Sequence, residues 1–230
     1  MTNSNFLVLF DLDGTLVDSV PDLAASLNRT LLAAGKAPVA EDVARTWVGN
    51  GAPRLVKRAL TGSMDGEPAT AEFKSAIAFF MQDYQENICV HSRLYPTVSR
   101  SLAQLVDAGH TLGCVTNKAA AFTRPLLKKL EIEAYFSIVV SGDDLPDKKP
   151  DPAPILYALE KTGFTRKQVI MVGDSVNDIS AARNAGVISV GVPYGYNHGQ
   201  PITAANPDYA IDQIGDLFSV LDGLQQLHTR

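Results

Sequence analysis

A chain of 230 residues with 46% hydrophobic content is long enough for one large domain, or one domain with a smaller insert, around a sizeable core. A net charge of −5 and a pI near 5.3 exclude the basic surface of a general nucleic-acid binder, and no apolar run approaches the roughly 20 residues of a membrane span. Two cysteines, Cys89 and Cys114, are too few for a disulfide scaffold. No basic or signal-like start precedes the first apolar run, so a cytoplasmic setting is expected.

Residues 6–15, FLVLFDLDGT, open as a run suited to a strand buried on both faces, then break into Asp11-Leu12-Asp13-Gly14-Thr15. Two carboxylates at the end of a buried strand are costly unless paired, hydrogen-bonded or bound to a metal. The spacing next predicts a helix over 18–36, with Pro21 in the first turn and Leu23, Leu27 and Leu31 on one face. Shorter helices over 41–47 and 52–60 flank the flexible Gly49-Asn50-Gly51, and 62–68 is a loop. Phe73, Ile77, Phe80, Met81, Tyr84 and Ile88 then mark a long amphipathic helix. From 18 to 90 the expectation is helical throughout.

From Thr97 onward, helices and strands alternate. A helix ended by Gly109 leads to a strand over 111–115 that finishes in Thr116-Asn117. A helix around Phe122 to Leu130 leads to a strand over 136–140, and another helix covers 152–161. A strand over 169–172 ends in Gly173-Asp174, and a helix over 176–185 is stopped by Gly186. Short strands at 187–192 and 209–211 precede a last helix over 212–227. Such alternation implies a parallel sheet covered on both faces. The expected fold is therefore α/β, with a Rossmann-like parallel sheet core from 1–17 and 91–230. A small α-helical cap over 18–90 is inserted after the first strand, where ligands of open α/β sheets bind.

The chemistry-bearing residues gather at strand ends: Asp11 and Asp13, Thr116 and Asn117, Asp174 with Asp178 close behind, and Lys149 in a loop before a helix. Lys148 is a rival for the role of Lys149, and acidic residues at 174 and 178 also suit a helix start. Several carboxylates in a small volume call for a cation or for protonation. Oxygen donors favour Mg²⁺, which is commonly completed by substrate phosphate oxygens. A carboxylate can itself be the nucleophile of phosphoryl transfer.

In kind and order, Asp11-Leu12-Asp13-Gly14-Thr15, the Thr116 strand end, Lys149-Pro150 and Gly173-Asp174-Ser175-Val176-Asn177-Asp178 resemble the four motifs of the haloacid dehalogenase superfamily. The resemblance implies Asp11 as nucleophile, Asp13 as proton carrier, Thr116 and Asn117 as holders of phosphate oxygens, and Lys149 as charge neutraliser. It implies Mg²⁺ bound by Asp11, the main-chain carbonyl of Asp13 and Asp174, with Asp178 orienting a metal water or Lys149. The second carboxylate, Asp13, favours a phosphatase or phosphomutase over a dehalogenase, and a cap lysine such as Lys57 is the group that phosphonate-cleaving relatives would use.

Residues 48–60, VGNGAPRLVKRAL, and 192–197, VPYGYN, are similar to bacterial phosphoglycolate phosphatases. A small phosphorylated substrate is then expected, and no nucleic-acid or membrane partner. Its carboxylate would be held by Gly49, Asn50 and Gly51 amides and by Arg54, though Arg54, Lys57 and Arg58 equally fit a solvated basic face. The expected reaction is Mg²⁺-dependent hydrolysis of 2-phosphoglycolate by a monomer or homodimer. A broader sugar-phosphate phosphatase or a β-phosphoglucomutase-like enzyme is the alternative. A non-catalytic binding protein would not need all four motifs filled.

Overall fold

The computed structural model of the chain describes residues 5–228, so the ends of the expected core segments, 1–4 and 229–230, lie outside the described residues. The first strand, β1 (Leu7–Phe10), is buried along its whole length. Its side chains alternate between faces, as the period of a strand requires. Phe6, Val8 and Phe10 join one apolar cluster, whereas Leu7 and Leu9 join another with Ile155, Ala158, Ala181 and Ala185.

The chain leaves β1 through β2 (Val17–Asp18) into four helices: α1 (Val20–Ala33), α2 (Glu41–Trp47), α3 (Ala52–Thr61) and α4 (Thr70–Glu86). It returns through β3 (Arg93–Leu94) and then alternates helix and strand. The later elements are α5 (Val98–Asp107), β4 (Thr111–Val115), α6 (Ala120–Lys129), β5 (Phe136–Val140), α7 (Ala153–Thr162) and β6 (Val169–Gly173). They close with α8 (Val176–Ala185), β7 (Ile188–Gly191), β8 (Tyr209–Ala210) and α9 (Leu217–His228). The main sheet has the order β5-β4-β1-β6-β7-β8, and every neighbouring pair is parallel. The helices cover both faces, as βαβ connections demand.

Central β1 pairs with β4 on one side and β6 on the other, with Phe10 level with both Cys114 and Val172. The strand ends that carry Asp11, Thr116 and Asp174 are therefore neighbours by register alone. The polar residues beyond them meet at the sheet's carboxyl edge, where strand order reverses.

The expectation of helix from residue 18 onward is corrected at its start. Val17–Asp18 instead pairs antiparallel with Arg93–Leu94, forming a two-stranded ribbon where the chain leaves and re-enters the sheet region. The helix begins after it, at Val20, with Pro21 in its first turn. At the other end, Ile214–Asp216 forms a 3₁₀ turn, so the last helix begins at Leu217 rather than 212.

Asp22, buried in the first turn of α1, fastens this ribbon. Its carboxylate accepts the N–H groups of Val90, His91 and Ser92 at 2.8–3.1 Å and the Ser92 hydroxyl at 2.6 Å. Burial pushes the carboxyl up, but these donors outweigh it and hold its pKa below the ordinary value. Asp22→Ala should cost about 2–4 kcal/mol, because it strands several amides at once. A depressed folded pKa contributes stability above the unfolded pKa and loses it as pH falls through the folded one. The difference between wild type and variant in urea melts should therefore be full at pH 7 and shrink below about pH 4. A difference independent of pH would show that the carboxylate charge is not what fastens the ribbon.

Candidate active site

Past Phe10, the Asp11 N–H still bonds to Val172 O at 2.9 Å, so the first carboxylate sits on the last rung of the ladder. The chain then tightens, with Leu16 and Val17 N–H both reaching Leu12 O at 3.0 Å. Gly14 in this loop has φ +91°, and a Cβ there would run into the Asp174 carboxylate. A Cβ on Gly195 would meet the same carboxylate from the other side, so both positions have room for glycine alone.

Lys149 organises the centre. Its side chain is 1% exposed, and its Nζ lies 2.8 Å from Asp11 Oδ1, 2.6 Å from Asp178 Oδ1 and 2.6 Å from Val115 O. Burial disfavours its charge, but the Asp11 and Asp178 carboxylates outweigh burial and raise its pKa. Asp178 accepts from Ser175 N–H and Oγ through its other oxygen, so the same carboxylate caps α8 and contacts Lys149. Lys148, the rival, instead lines a surface groove with Arg54.

Burial, opposed by Lys149 and helped by the Asp178 and Asp13 charges, pushes Asp11 up to about 6. Asp174 is raised well above the ordinary range, first by burial and then by Asp178 and Asp11. It accepts from the Thr15 hydroxyl at 3.1 Å and from Tyr196 N–H at 2.6 Å. Oxygens of Asp11, Asp174 and Asp178 lie within 4.8 Å of one another. Asp11 Oδ1 accepts no aligned hydrogen bond despite its contact with Lys149. A hard-oxygen donor set, crowded enough to raise two of its pKa values and holding an under-satisfied oxygen, fits Mg²⁺.

Asp13 faces elsewhere. One oxygen accepts the Ser19 hydroxyl at 2.6 Å, and Lys118 Nζ lies 3.1 Å from both. Lys118 also donates to Tyr84 OH on α4 at 2.8 Å, and burial pushes the Tyr84 phenol up to about 12. Sequence patterning marks Tyr84 only as part of a helical core face and gives Lys118 no role. The missed signal was a lysine directly following two polar residues at a strand end.

Thr116 is buried and accepts Lys118 N–H at 3.2 Å, which leaves its hydroxyl hydrogen for another acceptor. Asn117 donates its side-chain amide to Gly49 O at 3.0 Å and Lys149 O at 2.9 Å, so both amide protons are committed to the scaffold. Asn177, also unforeseen, reaches Gly49 O at 3.3 Å. Gly49 thus meets the sheet edge through its carbonyl rather than its amide.

These groups enclose a cavity of about 40 Å³ between the sheet edge and the helices. Its polar side carries Asp11, Asp13, Thr116 and Lys149, and its apolar side Leu23, Leu55 and Phe80. Gly49 and Gly51 line it, whereas Asn50 and Arg54 line the separate groove. Arg54 is held there by Asp65 at 2.8 Å and Glu67 at 2.9 Å, and Lys57 by Glu67 at 2.6 Å. Arg58 is buried on Trp47 O and Met64 O. The basic stretch of α3 is thus turned outward or used as structure.

The comparisons with known proteins agree with this geometry. The profile of the haloacid dehalogenase-like hydrolases matches residues 8–192. A phosphoglycolate phosphatase of Nitrosococcus oceani is 46% identical over 215 residues, covering 94% of this chain and 96% of the relative. One of Vibrio cholerae is 45% identical over 217 residues, with the same coverage of both chains. The crystal structure of a predicted phosphoglycolate phosphatase from Haemophilus somnus superposes with a TM-score of 0.90 at 41% identity, covering 96% of this chain and 99% of its own. With the sheet order, the carboxylate pair just after β1 and the Lys149 cluster in place, the chain belongs to the haloacid dehalogenase-like hydrolases.

Proposed function

We propose that the protein is a Mg²⁺-dependent phosphatase that hydrolyses 2-phosphoglycolate to glycolate and phosphate through a phosphorylated Asp11. The observation that carries this reading is the separation of the two carboxylates that follow β1. Asp11 lies against Lys149 and the other acidic ligands, while Asp13 lies against Ser19 and Lys118. That separation supports a division of labour in which Asp11 attacks and Asp13 transfers the proton.

In the first half-reaction an Asp11 oxygen attacks phosphorus and the ester P–O bond breaks. Asp13 delivers its proton to the leaving glycolate oxygen. Lys149 offsets charge on Asp11 and the transferring group, and the Thr116 hydroxyl donates to a phosphoryl oxygen. In the second half, water attacks the phosphorus of the acyl phosphate, Asp13 takes its proton, and Asp11 is regenerated. Asp11, Asp174 and the Asp13 carbonyl would hold Mg²⁺, which when bound neutralises phosphoryl charge. Asp178 orients Lys149. Asn117 acts by joining the Lys149 loop to Gly49.

The substrate assignment is supported by the names of relatives at 42–46% identity and by the small cavity. A two-carbon ester suits a cavity of that size better than a hexose phosphate does. The same reading treats 18–90 as a cap and 1–17 with 91–230 as the catalytic core. Phosphate release from a panel of esters with Mg²⁺ tests it, and kcat/KM for 2-phosphoglycolate should exceed that for glucose 6-phosphate by about 100-fold or more. Equal or reversed rates would remove the substrate assignment.

A further inference from the structure

A carboxylate entering a largely apolar cavity needs a partner there, because an unpaired buried charge is strongly disfavoured. Arg54 lies in a different groove and is neutralised by Asp65 and Glu67. The cations that line the cavity, among the described residues, are Lys149 and Lys118. Lys149 donates to Asp178 and to Val115 O at 2.6 Å and lies 2.8 Å from Asp11, so its ammonium is hemmed in on three sides.

Lys118 is held differently. Its side chain is 4% exposed, and its ammonium sits 4.8 Å from the centre of the Tyr84 ring. Both of its contacts to Asp13 are 3.1 Å, longer than the roughly 2.7–2.9 Å of a tight ammonium–carboxylate bond. Asp13 also accepts the Ser19 hydroxyl at 2.6 Å, a bond that does not involve Lys118. The ammonium can therefore exchange one carboxylate partner for another without stranding Asp13.

We propose that Lys118 is the specificity-determining residue that binds the carboxylate of the substrate, taking it in place of its contact with Asp13. The inference rests on the 2-phosphoglycolate reading. It adds a consequence for catalysis: the correct anion draws Lys118 aside and leaves an Asp13 oxygen facing the leaving group. An ester with no carboxylate leaves Lys118 on Asp13. Tyr84 keeps the ammonium anchored to α4 in both arrangements, so the helical roof and the anion share one contact.

The test compares kcat/KM with Mg²⁺ for 2-phosphoglycolate and for ethyl phosphate, which keeps the two-carbon ester but lacks the carboxylate. The wild-type preference should fall by about 30- to 100-fold in Lys118→Met, the range for a charge-assisted hydrogen bond, and be largely restored in Lys118→Arg. Inhibition by glycolate should weaken in parallel, with inhibition by inorganic phosphate changed less than about threefold. Lys118→Gln, which keeps a donor for Asp13 and Tyr84 without the charge, replaces Lys118→Met if that variant does not fold. Equal losses on both esters, or a preference that survives the variants, would overturn the role of Lys118 alone. A wild-type enzyme with no preference between the two esters would overturn the substrate reading, and Lys118 as its carboxylate partner with it.

Discussion

Asp11→Asn should lose turnover of 2-phosphoglycolate by a factor of about 10⁴ or more while making the metal-free protein more stable at neutral pH. In a covalent route through Asp11, the loss follows from replacing the attacking oxygen with an amide that cannot carry the phosphoryl group. The gain follows from the environment of Asp11, where burial and the Asp178 and Asp13 charges push its pKa up to about 6 against the opposition of Lys149. An acid whose folded pKa is raised binds more protons folded than unfolded, so its stability contribution declines as pH rises between about 4 and 6. Above that window, the ionised wild type carries a penalty that the neutral amide lacks, on the order of 1–3 kcal/mol. Thermal melts in EDTA at pH 7.5 should therefore place the variant above the wild type, and the gap should close at pH 4. Added Mg²⁺ should reverse the order by stabilising the wild type more. A variant less stable than wild type in EDTA at pH 7.5 would show that Lys149 already offsets the burial of Asp11 in full.

Much of the fold was legible because its signals are local. The strands at 111–115 and 136–140 and the helices at 41–47 and 176–185 have the bounds expected, since an apolar run or a helical stripe ends there in a turn residue. The two-residue strands Val17–Asp18 and Arg93–Leu94 were not, because so short a segment has no period and its partner lies across the whole helical block. The same distinction divides the site. Asp11 and Asp174 meet because the register of β1 with β6 makes their strand ends neighbours, Asp178 follows in the first turn of α8, and Lys149 reaches them from the loop before α7. Arg54 is drawn outward by Asp65 and Glu67, in a loop whose path carries no repeating pattern. Lys118 is the converse case. A lysine reads as solvated until the structure shows it enclosed by Tyr84 and Asp13.

Lys149→Met should cost about 3–5 kcal/mol in the metal-free protein and lower turnover by about 10³ or more. The methionine has nearly the same reach, so packing is largely kept while the charge is lost. What remains is a pair of buried carboxylates, Asp11 and Asp178, that shared one ammonium at 2.8 and 2.6 Å. Asp178 keeps Ser175 as a donor, whereas Asp11 Oδ1 accepts no hydrogen bond even in the wild type. Most of the strain therefore falls on Asp11, whose pKa must climb above its wild-type position near 6 once Lys149 no longer opposes burial. A further raised pKa means a stability deficit that is small where Asp11 is protonated in both states and grows as pH rises through the folded value. Urea melts in EDTA should thus show a larger gap between wild type and variant at pH 8 than at pH 5. A gap of equal size at the two pH values would mean that Lys149 stabilises by packing and by its bond to Val115 O rather than by neutralising Asp11. Mg²⁺ should narrow the pH 8 gap by supplying positive charge beside the same carboxylates. Turnover should stay low, because a metal at those oxygens does not replace the ammonium that Lys149 holds against Asp11.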